Sequence, residues 1–453
     1  MREKSINFAA LNIDGTMIFD EKHSISPWFW VPTLYFAEGI PYFLVNTISV
    51  MMFTRMGVAN DAMSFFTTLL YFPWFLKCFW APVVDNTRTK RWWIVSMQVV
   101  MTVLMVILCL TLPQPTISGA TSTSISVFRW TLILFIITAF ASATHDIAAD
   151  GFYMLAQSPG SQAAFIGIRS TFYRIAMVFG QGVLVYLAGY LERTTGDIPA
   201  AWRITIGVSA LVFALITLYH LFVLPHPEHY VASQHRSVKE AFSALLRAFG
   251  SFFVKPGALI AILFMLLYRL PEGFLVKLCM PFLVQPHEAG GLGLSTDMVG
   301  LAYGTLGVIF LLLGGLLGGL YISRVGLKRA LWPMAIAITL PDLVFVYMSA
   351  QMPDSLLLIT TLLGIEQFGY GFGFTAYMMY MMYFADGEYK TTHYAICTAF
   401  MALSMMLPGF VAGILQMAVG YKLFFLIVMG CCLITFIITY FVYRKINPDY
   451  GKK

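Results

Sequence analysis

Charge is what this chain has least of. Asp, Glu, Lys and Arg make up 11% of its 453 residues, where soluble domains carry about 25%. That is too little polar surface to cover a globule of this size in water. With 59% hydrophobic residues and a mean hydropathy of +0.78, the apolar material must face lipid. Cysteine is sparse as well: Cys78, Cys109, Cys279, Cys397, Cys431 and Cys432 all fall in apolar stretches without C-x-x-C spacing, which indicates neither a disulfide framework nor a metal site. The first 26 residues lack a short apolar core behind a basic head and contain Asp14, Asp20 and Glu21. They are expected to form a cytoplasmic tail and not a cleavable signal. The net charge of +6 is scattered over many short loops, so no nucleic-acid partner is expected.

What the chain does have is hydrophobic length. About 20 apolar residues cross the hydrocarbon, and twelve windows qualify: 27–53, 62–83, 92–112, 128–156, 163–191, 201–224, 257–284, 297–322, 331–351, 355–384, 392–418 and 421–443. An even number puts both termini on one side. The termini and the even-numbered loops, counting Arg169, hold 19 basic residues against 5 on the other side, which makes their side the cytoplasm. The expected fold class is an all-α polytopic membrane protein of twelve spans.

After the sixth window the chain turns polar at "LPHPEHYVASQHRS", and "VKEAFSALLRAFGSFF" then places Val238, Phe242, Leu245, Leu246, Phe249 and Phe253 on one helical face, with Lys239 and Arg247 opposite. This reads as an amphipathic surface helix. The expected layout is a tail (1–26), a six-helix half (27–224), a cytoplasmic linker (225–256), a second six-helix half (257–443) and a tail (444–453). The halves repeat each other. Glu38-Gly39 recurs 234 residues later as Glu272-Gly273, and the loop "APVVDNTRTKR" (81–91) aligns with "GLYISRVGLKR" (319–329) at an offset of 238.

Away from the window ends the charged residues are few: Glu38, Lys77, Asp146, Asp150, Arg174, Arg269, Glu272, Lys277, Asp342 and Glu366, with His145 beside them. Such groups are costly in lipid and face a cavity or one another. In the seventh window Arg269, Glu272 and Lys277 form a polar stripe that Pro271 and Gly273 interrupt, a pattern that lines midplane sites; the first window repeats it with Glu38, Gly39 and Pro41, beside Tyr35 and Asn46. An internal Arg269–Glu272 ion pair is the competing reading. Asp146 and Asp150, four apart in "ATHDIAADGFYM", share a helical face. Repulsion and poor hydration favour a proton on one of them, while pairing with Arg169 or Arg174 is the alternative. Glu366 and Gln367 add polar groups to a tenth window whose Gly369 and Gly373 admit a close neighbour. His145 and Asp150 also match an H-x-x-x-x-D spacing of membrane acyltransferases, a remote alternative with no supporting motif.

Two parallel six-helix halves with a basic loop after the second helix of each resemble the major facilitator superfamily, whose loop pattern is G-x-x-x-D-R-x-G-R-[RK]. The second copy keeps Gly319, Arg324, Gly326 and Lys328 but has Ser323 for the acid; the first keeps Asp85 but has Ala81 and Asn86 for Gly and Arg. The resemblance implies a cytoplasmic gate at Asp85, Arg88, Lys90, Arg324 and Lys328, with Asp85 and Arg88 latching the outward-open state. Plain positive-inside anchoring is the alternative.

"YFAEGIPYFLV", "FPWFLKCFWAPVVD", "THDIAADG", "EQFGYGFGFTAYMMYM" and "THYAICTAF" are, in order, similar to the AmpG-type muropeptide permeases and their acetyl-CoA-transporter relatives. That resemblance implies a secondary transporter in the bacterial inner membrane, importing anhydro-muropeptides with protons for wall recycling, as a monomer without a cofactor. Transport of another anionic solute, such as a CoA ester or a sugar derivative, is the alternative. Proton coupling is then expected at Asp146, Asp150, Glu38 and Glu272. Substrate contacts are expected at Tyr35, Arg174, Gln181, Tyr268, Arg269, Lys277, Glu366 and Gln367, with Tyr173 and Lys77 nearby: cations for the carboxylates, aromatic faces and amides for the sugars. No G-x-x-x-x-G-K-[ST] occurs, which argues against ATP as the driver within this chain.

Overall fold

The computed structural model describes residues 25–115, 123–157, 159–226, 238–387, 389–448 and 450–451. The expected N-terminal tail up to residue 24, and residues 227–237 of the polar stretch, lie outside the described residues. The architecture is helical. In chain order the helices are α1 (Pro27–Phe43), α2 (Ser49–Arg55), α3 (Asn60–Leu69), α4 (Phe72–Thr87), α5 (Lys90–Thr111), α6 (Arg129–Leu155), α7 (Pro159–Met177), α8 (Val185–Thr195), α9 (Ile198–Val223), α10 (Val238–Phe253), α11 (Ala258–Leu267), α12 (Leu270–Val284), α13 (Thr296–Val299), α14 (Val308–Val325), α15 (Leu327–Thr339), α16 (Leu343–Gln351), α17 (Leu356–Ala385) and α18 (Lys390–Tyr443).

Among the described residues ten stretches are long and apolar enough to cross a membrane. The count differs from twelve windows at two places, each for a local reason. Window 62–83 is divided between α3 and α4 at Leu70–Tyr71, where Pro73 has no N–H to offer the Leu69 carbonyl one turn back. The last stretch, Thr392–Tyr443, runs 52 residues and holds Gly420 at φ 73 and ψ 167, a left-handed conformation open to glycine at little cost, so two rods meet there.

Helix breaks fall where proline removes a donor. Pro41 lies inside α1, and three residues on the backbone widens into a π-helical turn, Leu44–Ile48. Pro271 stands in the first turn of α12, and the break before it falls at Tyr268–Arg269, with Arg269 at φ −107 and ψ 19. The helices up to Val223 pack mainly on one another, α1 against α6, α7 and α9, and α5 against α6 and α9. From Ala258 on, α11 and α12 pack on α18, and α14 and α15 on α17. The amphipathic α10 bridges the two sets, touching α4 and α18, with Phe249 5.8 Å from Phe79.

The twin Glu-Gly pairs serve the same packing purpose. A methyl on Gly39 would meet Ala176 of α7 and come within 3.3 Å of the Tyr173 carbonyl; one on Gly273 would meet Pro408 and come within 3.0 Å of the Ser404 carbonyl of α18. Each glycine brings a neighbouring helix against the turn that carries the acid.

Candidate functional site

A cavity of about 700 Å³ lies between the two sets of helices. Its first wall carries Glu38, Lys77, Asp146 and Arg174; its second carries Arg269, Glu272, Gln367 and Tyr370. Tyr42, Tyr71, Trp74 and Tyr173 add aromatic faces.

On the first wall, Glu38 from α1 meets Asp146 and Asp150 from α6, with one oxygen of each carboxylate within 4.8 Å of the others. Asp146 and Asp150 lie one turn apart on α6, so both reach the same neighbours. Lys77 of α4 pairs with Asp146. Arg169 of α7 pairs with Asp150 at 2.6 Å and lies 4.4 Å over the Tyr35 ring, whose hydroxyl donates to Asp150 at 3.3 Å. Three negative charges thus meet two positive ones. The remaining charge falls to Glu38, 8% exposed, whose Oε2 has no hydrogen-bond partner.

On the second wall, the Arg269 guanidinium donates to the Tyr370 hydroxyl and lies 4.6 Å over Phe374, with its Nε unpartnered. Arg174 faces the same space from α7 without an ion pair among the described residues. Gln181 lines the cavity from the π-helical turn Val178–Leu184, 3.5 Å from the Thr47 hydroxyl. Gln367 lines it from α17, donating to the Tyr303 hydroxyl at 3.2 Å and to Glu366 at 2.9 Å.

Other residues singled out in the sequence stand elsewhere. Tyr268 is fully buried behind the cavity, its hydroxyl donating to the Gly373 carbonyl at 3.2 Å and its ring stacked on Tyr377. Lys277 points into the seam between the two sets, 3.1 Å from the Thr67 hydroxyl and 4.8 Å from the Tyr71 ring. Tyr35 belongs with the acids and not with the cavity lining. His145 is fully buried against Gln98, at 3.0 Å. Of the basic-loop residues, Arg88 is exposed and stacked over Trp92 at 5.7 Å, Lys90 is buried, Arg324 is exposed, and Lys328 lies 5.3 Å from the Tyr443 ring. The Asp85 side chain lies outside the described residues.

The Arg169–Asp150 pair is the alternative that the sequence offers for that acid, while Tyr42, Tyr71, Trp74 and Tyr370 go unassigned there. The aromatics sit on the same windows as the charged groups, which is the signal that points to them.

Between described residues, the hydrogen bonds joining the two sets lie toward one end of the bundle. Asn60 donates to Gln416 at 2.8 Å, to Tyr421 at 3.0 Å and to Gln285 at 3.3 Å. Ser64 donates to the Gly409 carbonyl at 2.5 Å. Arg193 pairs with Asp297 at 2.5 Å, and Thr296 donates at 2.8 Å to Glu192, which also receives Arg55 at 2.9 Å and Trp202 at 2.8 Å. These bonds fasten the two sets together at that end.

A central cavity with charged walls, set between two groups of apolar helices, defines a membrane transporter and not an enzyme; the acyltransferase alternative is set aside. The chain belongs to the Major Facilitator Superfamily, whose sequence profile matches residues 33–392. It is 27% identical over 390 residues to the "Putative transporter AmpG 4" of Rickettsia conorii, covering 82% of this chain and 86% of that protein. It is 24% identical over 400 residues to the "Anhydromuropeptide permease" of Escherichia coli K12, covering 87% of this chain and 75% of that protein. The partially occluded, inward-open xylose transporter XylE of E. coli superposes with a TM-score of 0.65 at 12% identity, covering 93% of this chain and 98% of that one, a likeness of fold alone. A transporter of this class carries a small molecule.

Proposed function

We infer that the chain imports anhydro-muropeptides across a bacterial inner membrane together with protons, as a monomer working by alternating access. The single observation that carries the coupling is the unbalanced charge on the first wall: three carboxylates, two ion-pair partners and a buried Glu38 oxygen without a donor. One proton neutralises such a group, and burying it neutral costs far less than burying it charged. A proton entering through about 100 mV releases about 2.3 kcal/mol, roughly fifty-fold in concentration ratio. Glu272 is the acid that faces the same cavity from the second wall.

The muropeptide reading is supported by the permease relatives and by the cavity's chemistry. Arg174 and Arg269 suit peptide and lactyl carboxylates, while Tyr42, Tyr71, Trp74 and Gln181 suit sugar rings. In the same reading there are twelve crossings: α3 with α4 forms the second, and Gly420 separates the eleventh from the twelfth. Both termini and the linker are cytoplasmic, the two six-helix halves rock about the cavity, and the fastened end faces the periplasm. Asp85, Arg88, Lys90, Arg324 and Lys328 gate the opposite end.

The test is uptake of labelled GlcNAc-anhydroMurNAc-peptide into proteoliposomes under an imposed pH gradient, against acetyl-CoA as the competing cargo. Gradient-dependent accumulation of the muropeptide alone is expected. Accumulation of the CoA ester instead, or uptake indifferent to the gradient, sinks the reading.

A further inference from the structure

The second wall hides a second group of acids. Glu272 of α12, Asp342 of the short turn Leu340–Asp342 between α15 and α16, and Glu366 of α17 each offer a carboxylate oxygen within 4.8 Å of the other two. They are 5%, 3% and 3% exposed. Glu272 Oε2 and Asp342 Oδ2 have no hydrogen-bond partner; Glu366 accepts only from Gln367. None of the three forms an ion pair among the described residues.

The cations nearest in sequence form no ion pair with this group among the described residues. Arg269, three residues before Glu272, is held by Tyr370 and Phe374. Lys277, five residues after it, turns to Thr67 and Tyr71. Arg269 lies within electrostatic reach of Glu272 without forming an ion pair with it, and the other neighbours, Cys279, Tyr303 and Tyr370, supply no positive charge. Carboxylates this deep and this close cannot all stay charged without a counter-charge, which protons or a bound cation supply, because each uncompensated buried charge costs several kcal/mol.

We propose that Glu272, Asp342 and Glu366 form a binding site for a hard cation of the size of Na⁺ or Ca²⁺. All the offered atoms are oxygens, which suits a hard cation. Metal–oxygen bonds of about 2.3 to 2.6 Å span roughly 4.6 to 5.2 Å across one coordination sphere, which accommodates oxygens up to 4.8 Å apart. Mg²⁺ dehydrates reluctantly and is seldom held by an all-protein cage, so it is the poorer candidate. Glu272 lines the cavity while Asp342 and Glu366 lie behind it, so the cation enters by way of Glu272. The site goes beyond the transport reading above and does not rest on it.

The experiment uses full-length protein in detergent, exchanged into choline chloride, with thermal unfolding and calorimetric titration against NaCl, CaCl₂ and MgCl₂ at matched ionic strength. NaCl or CaCl₂ is expected to raise the unfolding midpoint by a few degrees and to give saturable heat, with MgCl₂ well behind; which of the two responds fixes the charge of the ligand. Asp342→Asn and Glu366→Gln are each expected to weaken binding about tenfold or more, since affinity at such sites follows the number of charged ligands. The surface variant Asp386→Asn is expected to bind as the wild type does. A wild-type response no larger than that to choline, or one without preference between the cations, overturns the proposal whether or not the variants fold. So does a response unchanged in both variants.

Discussion

The two walls of the cavity are built around sister glutamates, yet they treat charge in opposite ways. Glu38 and Glu272 stand 234 residues apart in the repeat, each followed by a glycine that admits a neighbouring helix. On the first wall the companions come from one helix, α6, and Lys77 and Arg169 answer two of the three acids. On the second they come from two separate elements, and among the described residues no ion pair answers any of them.

The largest test of this contrast is functional. Asp150→Asn removes a charge from the first wall and leaves the bases to balance the rest, so no proton is required. Steady-state accumulation of muropeptide in proteoliposomes at about −100 mV is expected to fall from roughly fifty-fold to about one, while exchange of internal for external substrate persists. Undiminished accumulation breaks the comparison at its first wall.

Stability sharpens it next. Lys77→Met strands the largely buried Asp146, whose side chain is 14% exposed, and is expected to cost on the order of 3 kcal/mol in detergent unfolding. The double variant with Asp146→Asn should recover most of that loss. Glu366→Gln, measured in choline, removes an unanswered charge and is expected to be neutral or stabilising. Equal losses for Lys77→Met and Glu366→Gln would erase the distinction.

Gly39→Ala and Gly273→Ala probe what the walls share. Each puts a methyl into a neighbouring helix, and each is expected to cost about 1 to 3 kcal/mol by thermal unfolding; a benign change at either site would show that the two turns pack differently after all. The smallest effect is at the fastened end. Asn60→Ala removes donors to Gln285, Gln416 and Tyr421 and is expected to shift the balance toward opening there by about 1 kcal/mol, roughly five-fold, read by labelling of a cysteine at Gln181 from that side.

Much of this was legible in the sequence because burying charge in lipid is so costly that acids in apolar windows declare themselves. Glu38, Asp146, Asp150 and Glu272 stood out for that reason, and the Arg169–Asp150 pairing appeared as an alternative. Helix rotation did not declare itself. Lys77 and Asp146 are 69 residues apart, and nothing in their spacing says that α4 turns one toward the other. Tyr268 and Lys277 share the polar stripe of Arg269, yet the break at Tyr268–Arg269 turns one ring into the packing of α17 and the lysine lies in the seam. The acids of the second wall were each visible, but their meeting depends on three backbones whose relative heights no periodicity encodes.

Glu192 carries a consequence for turnover. Of its donors, Arg55 and Trp202 belong to its own half and only Thr296 comes from the other. Parting the two sets at Glu192 breaks one hydrogen bond to its carboxylate, worth about 1.5 to 3 kcal/mol, and leaves that carboxylate still answered by its own arginine and tryptophan. At Glu192 the fastening is thus weak toward the second set and strong within its own, whereas the neighbouring Arg193–Asp297 pair joins the two sets and would have to part its charges for this end to open.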